Sequence, residues 1–255
     1  MSIDWTQRRA AFRQLHQQGC FVIGNAWDKG SAVRLARLGF PALASTSSGA
    51  AWTQGLDDGD LSRDQVLAHL RELCAATDLP VNADYEAGFA DDPATVGANV
   101  ALAVQTGVAG LSIEDRTGVT LYDLELARER MAAARAAIDA SGQDVLLVGR
   151  CEGYLIGRKD LKATLERLSA YAEAGADCLY APGMTDLDEI AETVRALAPK
   201  PVNVLIAGTG LRVQDLAERG VRRISVGGAF AAIAYHAAER AARQLLEVGA
   251  LPARS

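Results

Sequence analysis

The feature that most constrains the fold of this chain is a regular alternation of short apolar runs with amphipathic segments, repeated eight times along 255 residues. Runs such as residues 81–84 and 202–205 suit buried strands, and the segments after them carry apolar residues at helical spacing. Eight such strand and helix units in about 250 residues are typical of a closed (β/α)8 barrel. We therefore predict an α/β protein, a TIM barrel in one domain over residues 1–255, with an N-terminal helix and a long C-terminal helix.

A doubly wound open sheet is the alternative architecture, but the glycine-rich nucleotide fingerprint that usually follows its first strand is missing. Several predicted helices begin after residues that commonly cap a helix N-terminus: Ser62, Asp92, Asp123, Asp160 and Asp186. Others end at glycines that suit a helix C-terminus: Gly39, Gly107, Gly175 and Gly220. No linker or longer repeat indicates a second domain.

Charge and composition argue against several classes of partner. A formal net charge of −6 without a basic cluster disfavours nucleic acid or an anionic membrane as partner. No apolar run approaches about 18 residues and the N-terminus lacks the apolar core of a signal peptide, so we predict a cytoplasmic protein. The cysteines have no CxxC spacing and are expected to be reduced thiols: Cys20, Cys74, Cys151 and Cys178.

Carboxylates stand at the ends of successive predicted strands, where barrel enzymes build their active sites. Asp84 and Glu86 lie two residues apart at the end of the third strand, so both would point to the same side of it. The next two strands end in further charged residues: Glu114, Asp115, Arg150 and Glu152. Such a cluster predicts a site for a hard cation such as Mg2+, although these carboxylates could instead cap helices or pair with arginines.

An organic anion is the second ligand expected at the mouth of the barrel, the end at which the strands terminate. Arg150 is suited to binding a carboxylate through two parallel hydrogen bonds. A polar run after the second strand offers hydroxyl and N–H groups for a carboxylate or enolate oxygen: Ser45, Thr46, Ser47 and Ser48. Glycine-rich turns at residues 206–210 and 225–230 either hold a phosphate or relieve crowding. The histidines are assigned to helices rather than to the site: His16, His69 and His236.

Eight short motifs also follow one another in a familiar order: NAWDKGSA, STSSGAA, GLDDGD, NADYEAGF, GLSIEDR, VGRCEGYLIG, GADCLYAPG and ISVGGAF. Through them most of the chain resembles the isocitrate lyase and phosphoenolpyruvate mutase superfamily, Mg2+-dependent barrels that act on 2-oxo and 2-hydroxy acids. The resemblance implies that Asp84 is the direct ligand of Mg2+, or of Mn2+. Glu86, Glu114 and Asp58 would hold the metal's water molecules.

The same resemblance implies the catalytic and substrate-binding residues. Asp58 and Arg150 are the predicted catalytic residues. Binding of the carboxylate and 2-oxo group of the substrate would fall to Ser45, Thr46, Ser47, Asp84 and Arg150.

This sequence departs from the superfamily pattern in the loops whose residues normally determine which reaction is catalysed. The lyases carry a catalytic Cys in a KKCGH-like loop after the fourth strand, and the mutases a longer gating loop with Lys and Asn. Residues 115–130 contain no Cys or Lys. Cys151 directly follows Arg150 and is expected to face away from the mouth, while Pro182 occupies the place of a Glu or His after the sixth strand.

Three functions are compatible with these residues. The first is a Mg2+-dependent carbon–carbon lyase that acts on a small 2-oxo or 2-hydroxy di- or tricarboxylate through an enolate. Decarboxylation of an oxaloacetate-like acid least needs the missing Cys, with water or a tyrosine as proton donor: Tyr122, Tyr154 or Tyr180. The alternatives are phosphonyl transfer of the phosphoenolpyruvate mutase or carboxyphosphonoenolpyruvate phosphonomutase type, and a non-catalytic protein that binds 2-oxo acids.

The resemblance also implies self-association. Superfamily members are typically tetramers that exchange C-terminal helices, and the apolar-faced segment at residues 232–249 is compatible with such packing. The same segment would serve equally well as the eighth helix of the barrel. We therefore expect a homotetramer or homodimer whose other partner is a small carboxylate.

Overall fold

A computed structural model describes residues 4–208 and 210–253. The strands are β1 (Phe21–Val22), β2 (Gly24–Asn25), β3 (Leu43–Ala44), β4 (Val81–Asp84), β5 (Gly110–Glu114), β6 (Arg116–Thr117), β7 (Thr120–Leu121), β8 (Leu146–Arg150), β9 (Cys178–Tyr180), β10 (Val202–Leu205) and β11 (Arg223–Ser225). The helices are α1 (Trp5–Leu15), α2 (Lys29–Arg37), α3 (Ser47–Thr53), α4 (Arg63–Ala76), α5 (Pro93–Val104), α6 (Leu124–Ala140), α7 (Leu161–Glu173), α8 (Leu187–Leu197), α9 (Val213–Glu218) and α10 (Ala229–Val248).

The main sheet closes on itself through its first strand. β1 and β2 are two halves of that strand, separated by Ile23; β1 pairs with β11 on one side and β2 pairs with β3 on the other. Between them the order is β11-β10-β9-β8-β5-β4-β3, and every pair is parallel. The predicted (β/α)8 barrel is therefore confirmed, with α3 and the β6–β7 hairpin as additions at the strand ends.

The N-terminal helix α1 covers the end of the barrel where the strands begin. Phe12 is fully buried against the residues at the strand starts, including Phe21 and Leu146. Arg9 donates to the carbonyl oxygens of Val104 and Val108 at 2.9 and 3.0 Å, at the C-terminal end of α5. A guanidinium at this position satisfies carbonyls that the helix leaves free and complements the helix dipole. Helix α1 therefore acts as the floor of the barrel.

Above this floor the barrel interior becomes polar. The neighbouring inward positions on the last strands are occupied by Tyr180, Asn203 and Arg223, which the strand register aligns side by side. All three are buried, with Arg223 only 3 % exposed. Barrel interiors are usually filled by branched apolar side chains, so a layer of this kind indicates a function beyond packing.

Local signals at the helix ends behave as the sequence predicts. Each predicted cap accepts a hydrogen bond from a backbone N–H of its helix's first turn: Ser62, Asp92, Asp123, Asp160 and Asp186. Gly107 has a φ of +94°, and a Cβ there would meet the Trp5 ring at 2.6 Å. Glycine at this turn therefore permits both the left-handed backbone and the close approach of α1.

The long C-terminal helix α10 is also as predicted, and much of its surface is exposed. Ile233, Leu246 and Val248 are 63, 87 and 70 % exposed. Within residues 4–208 and 210–253, none of the helices has the combination of length and apolar character that crossing a bilayer requires.

His16, at the end of α1, makes the stability of the barrel floor dependent on pH. The ring packs edge-on against Phe12 and Phe21, and Nδ1 lies 2.8 Å from the Phe12 carbonyl oxygen. Burial, reinforced by the positive charge of Arg223, lowers the His16 pKa to about 3. In the unfolded chain this histidine binds a proton near pH 6.5, so folding stability is lost as pH falls below that value.

When the pH is lowered from 7.5 to 5, we expect the wild type to lose about 2 kcal/mol of its free energy of unfolding relative to the His16→Leu variant. Only the wild type must keep a neutral imidazole buried at the lower pH. Urea unfolding at both pH values measures the difference. A difference that stays constant with pH would contradict the buried neutral state of His16.

Candidate active site

A cavity of about 190 Å3 opens at the carboxyl ends of the strands. Its lining includes every residue predicted to bind substrate or to act in catalysis: Ser45, Thr46, Ser47, Asp58, Asp84 and Arg150. A larger groove of about 740 Å3 lies at the opposite end of the barrel, but small, apolar and amide side chains line it together with Arg9. The charged groups and the polar turn are therefore gathered at the mouth.

Asp84 is the last residue of β4 and is held from two sides. Its Oδ2 accepts a hydrogen bond from the backbone N–H of Ser47 at 3.0 Å, and its Oδ1 accepts one from Arg150 Nη1 at 3.1 Å. Its own N–H donates to Ser45 Oγ at 2.8 Å. The polar turn after β3 thus fixes the position and direction of the Asp84 carboxylate.

Arg150, at the end of β8, lies among three carboxylates. Besides Asp84, its guanidinium contacts Glu114 at 3.3 Å and donates from Nε to Glu152. Burial alone would lower the Arg150 pKa, but these three negative charges outweigh it and hold the pKa well above its usual value. The guanidinium is consequently a permanent cation at the centre of the mouth.

The carboxyl groups of Glu86 and Glu114 are partly protonated near neutral pH in this environment. Burial, followed by the charges of Asp84, Glu114 and Asp58, raises the Glu86 pKa to about 8. Burial also dominates at Glu114, where Arg150 opposes it and Glu152 adds to it, and the pKa rises to about 7. The mouth therefore holds more carboxylates than its guanidinium can neutralise.

The backbone also holds Glu86 in an unusual conformation. Its φ is +48°, in the left-handed region that few residues other than glycine adopt, and its Oε1 is buried without a hydrogen-bond partner among the described residues. A buried carboxylate oxygen of this kind calls for a cation, a water molecule or a proton.

The donor set fits Mg2+, which prefers oxygen ligands and usually keeps several waters. Among residues 4–208 and 210–253, no three Asp, Glu, His or Cys side chains converge closely enough to hold a metal directly. The arrangement suits a cation with one or two protein ligands and otherwise water. Asp84 as the direct ligand, with Glu86, Glu114 and Asp58 around the water shell, remains a prediction.

Asp115 does not face the mouth with Glu114, contrary to the strand-end reading of the sequence. Successive residues of a strand point to opposite faces, and Asp115 contacts α7 outside the barrel. Its carboxylate accepts hydrogen bonds from Tyr171 Oη, from Arg167 at 3.2 Å and from the backbone N–H of Glu152 at 2.8 Å. Cys151 is buried close to this outer cluster and is not a lining residue of the cavity, as predicted.

The place of the missing catalytic loop is taken by the short β6–β7 hairpin. Arg116, which opens the hairpin, has its Nε 3.7 Å from a carboxylate oxygen of Glu114 and 3.7 Å from one of Glu152. The sequence reading did not assign Arg116 to the site, because nothing in the pattern reveals how a hairpin folds back. A second guanidinium therefore borders the acidic cluster.

Sequence reasoning also missed the deeper part of the cavity. Its polar lining there includes Asn82, Asn203 and Arg223, which the sequence reading did not indicate, next to Asn25 and Ser225 at the ends of the first and last strands. The signal was present, because Asn82 lies two residues before Asp84 and Arg223 two before Ser225, at the strand period. Of the three candidate proton donors, only Tyr180 lines the cavity; Tyr122 donates to Asp91 and Tyr154 to Glu189.

The backbone N–H groups of one glycine-rich turn, residues 225–230, are already in use. Asn25 Oδ1 accepts hydrogen bonds from the backbone N–H groups of Val226 and Gly227, at 2.9 and 3.1 Å. Those two donors are thus occupied within the protein. Thr209 of the other turn lies outside the described residues, so this part of the prediction stays open.

A parallel barrel whose charged and polar side chains converge at the carboxyl ends of its strands has the architecture of the barrel enzymes. The sequence matches the phosphoenolpyruvate phosphomutase family over residues 12–246. The chain belongs to this family, as the motifs predicted.

Similar proteins include both lyases and less defined relatives. A crystal structure from Burkholderia cenocepacia J2315, provisionally named a lyase/mutase, has a TM-score of 0.94 and 47 % identity over 97 % of this chain and 91 % of its own. The 2-methylisocitrate lyase of Escherichia coli K12 is 32 % identical over 59 % of this chain and 53 % of its own length. The oxaloacetate decarboxylase of Pseudomonas entomophila L48 is 28 % identical over 88 % of this chain and 81 % of its own length.

We expect the metal-free wild type to lose stability relative to Glu86→Gln as pH rises from 5.5 to 8.5. Folded Glu86 keeps its proton up to about pH 8, whereas the unfolded chain releases it near 4.5. The folded state thus binds the extra proton, and its advantage disappears as pH rises through the folded pKa. Urea unfolding in EDTA measures this, and a pH-independent difference between the two proteins would contradict the raised pKa.

Proposed function

We propose that this protein is a Mg2+-dependent carbon–carbon lyase acting on a small 2-oxo or 2-hydroxy di- or tricarboxylate. The observation that carries the proposal is the convergence of Ser47, Asp84 and Arg150 in one cavity, close to a Glu86 carboxylate oxygen that has no hydrogen-bond partner within the described part of the chain. A relative that decarboxylates oxaloacetate and another that cleaves 2-methylisocitrate support the same class of reaction.

Each residue has a definite task in this proposal. Arg150 binds a substrate carboxylate through a charge-assisted hydrogen bond from Nη2, because Nε and Nη1 already contact Glu152, Asp84 and Glu114. Ser45, Thr46 and Ser47 supply hydroxyl and N–H donors to the 2-oxo oxygen and share the negative charge that develops there. Asp84 would hold Mg2+, with Glu86, Glu114 and Asp58 orienting its water molecules. A bound Mg2+ supplies Lewis-acid polarisation of the 2-oxo group.

Decarboxylation of an oxaloacetate-like acid is the version of the reaction that these residues favour. The bond from C3 to the leaving carboxylate breaks, its electron pair passes into the enolate, and carbon dioxide departs without a proton. A lyase that releases glyoxylate would need a further acid or base at the site. The β6–β7 hairpin and Pro182 provide none.

Phosphonyl transfer is the second candidate, since the family takes its name from a phosphomutase. Two features disfavour it: the gating Lys and Asn are missing, and the N–H groups of Val226 and Gly227 already donate to Asn25. A third candidate, a protein that binds 2-oxo acids without turnover, would show Mg2+-dependent binding by calorimetry and no product.

Self-association and location belong to the same proposal. The exposed apolar side chains of α10, among them Ile233 and Leu246, suit packing between copies of this chain in a homotetramer or homodimer. We further propose a cytoplasmic location.

We expect Asp84→Ala to abolish both Mg2+ binding and Mg2+-dependent release of carbon dioxide from oxaloacetate. Arg150→Ala should keep Mg2+ binding and raise KM about 10- to 100-fold, because the charge-assisted hydrogen bond to the substrate is lost. Calorimetry and a coupled pyruvate assay measure the two effects, with Asp57→Ala, which is exposed beside Asp58, as the matched control. Turnover that survives in Asp84→Ala would refute the proposed site.

Phosphorus NMR separates the lyase from the mutase. With Mg2+ present, we expect the spectra of phosphoenolpyruvate and phosphonopyruvate to remain unchanged over hours. Interconversion of the two compounds would establish phosphonyl transfer and remove the lyase as the primary function.

A further inference from the structure

A chain of hydrogen bonds crosses the barrel interior from Arg223 to Tyr180. Arg223 Nε donates to Asn203 Oδ1 at 2.9 Å, and Asn203 Nδ2 donates to Ser225 Oγ at 3.0 Å. Ser225 Oγ then donates to Tyr180 Oη, the longest link at 3.4 Å. All four residues are buried and line the cavity that contains Asp84 and Arg150.

The chain has one direction, because a guanidinium can only donate. Arg223 therefore turns the amide oxygen of Asn203 toward itself and the amide nitrogen toward Ser225. Ser225 Oγ accepts this N–H and donates its own hydrogen to Tyr180 Oη. Tyr180 Oη is consequently an acceptor within the protein, and its own O–H hydrogen is left for the cavity.

Arg223 also places an uncompensated positive charge at the far end of this chain. Its other hydrogen bond is to Asn82 Oδ1 at 3.3 Å, and no ion pair to it occurs within the described residues. Burying a guanidinium without a paired carboxylate costs folding free energy, so its retention points to a function. Arg223 is linked to Tyr180 only through Asn203 and Ser225, whereas the Ser225 hydrogen bond and the nearby charge of Arg150 are what favour negative charge on Tyr180 Oη.

We propose that Tyr180 is the catalytic acid that protonates C3 of the enolate, with Arg223, Asn203 and Ser225 as the residues that position it. The inference rests on the proposed function in that it needs an enolate of a 2-oxo acid. In the step, the O–H bond of Tyr180 breaks and a C–H bond forms at C3, which leaves a phenolate. Water entering the cavity returns the proton.

Two further features support this role. Burial raises the Tyr180 pKa to about 12, so the phenol carries its proton at neutral pH. The Arg150 guanidinium lies 5.6 Å from the Tyr180 ring centroid, so the phenol borders the group expected to bind the substrate carboxylate. Tyr122 and Tyr154 lack the second feature, because they do not line the cavity and their hydroxyls donate to Asp91 and Glu189.

Two assays on the Mg2+-loaded full chain test the assignment separately from the proposed function. The first is carbon dioxide release from oxaloacetate. The second is deuterium uptake at C3 of pyruvate in D2O, followed by proton NMR, which reads proton transfer alone. We expect the wild type to catalyse both, and Tyr180→Phe to lose at least 100-fold in deuterium uptake while it retains carbon dioxide release to within a few fold.

Matched variants separate acid catalysis from structural support. Tyr122→Phe and Tyr154→Phe should take up deuterium at the wild-type rate. Ser225→Ala should lose about 10-fold in deuterium uptake and a smaller factor in carbon dioxide release, and Ser225→Thr, which restores the hydroxyl, should recover the uptake.

Three results would overturn the assignment: wild-type deuterium uptake in Tyr180→Phe, a loss of carbon dioxide release as large as the loss of uptake, or no uptake in the wild type. If the wild type takes up deuterium, Tyr180→Phe does not, and neither releases carbon dioxide, the lyase proposal is refuted and Tyr180 remains the acid.

Discussion

The shared ion pairs of Arg150 are the interaction on which the mouth of this barrel depends. One guanidinium joins Asp84 of β4, Glu114 of β5 and Glu152, the residue that follows Cys151 after β8. Removing a single partner from such a buried group would leave an uncompensated charge at a cost of about 3–5 kcal/mol. The pairing therefore keeps three strand ends in register, and it still leaves negative charge in excess for a cation.

Two buried arginines lie at different depths of the barrel and have different neighbours. Arg150 lies among carboxylates, so its field at the mouth is largely neutralised and a metal can share its partners. Arg223 lies among amides and has no ion pair within the described residues, so its positive charge is not neutralised by a neighbour. Apolar packing by Phe12 closes the floor beneath it. With the proposed cation bound at the mouth, an anionic intermediate would meet positive charge at the mouth as well as that of Arg223 deeper in the cavity.

The sequence was sufficient for everything that depends on local spacing. Caps such as Asp92 and turn glycines such as Gly107 act within a few residues, and the confirmed barrel follows from their repetition. The position of Asp84 at a strand end followed from the same reasoning. Period-two alternation could also have separated Glu114, which faces inward, from Asp115, which faces α7.

What the sequence could not provide was the register between strands distant in the chain. The order Arg223, Asn203, Ser225 and Tyr180 depends on how β9, β10 and β11 align, and no single run encodes that alignment. The return of the β6–β7 hairpin, which brings Arg116 to the acidic cluster, was hidden for the same reason. Burial and electrostatics across these elements raise the Glu86 and Glu114 pKa values, and neither is visible in a list of strand ends.

The central claim is that the carboxylates around Asp84 form a divalent-cation site that serves a 2-oxo acid. Crystals soaked with Mn2+ and oxalate, an enolate mimic, would test it through the anomalous signal of the metal. The account predicts one strong peak beside Asp84, with oxalate bound between the metal and the Arg150 guanidinium. A map without a peak at Asp84, or with oxalate held away from Arg150, would contradict it.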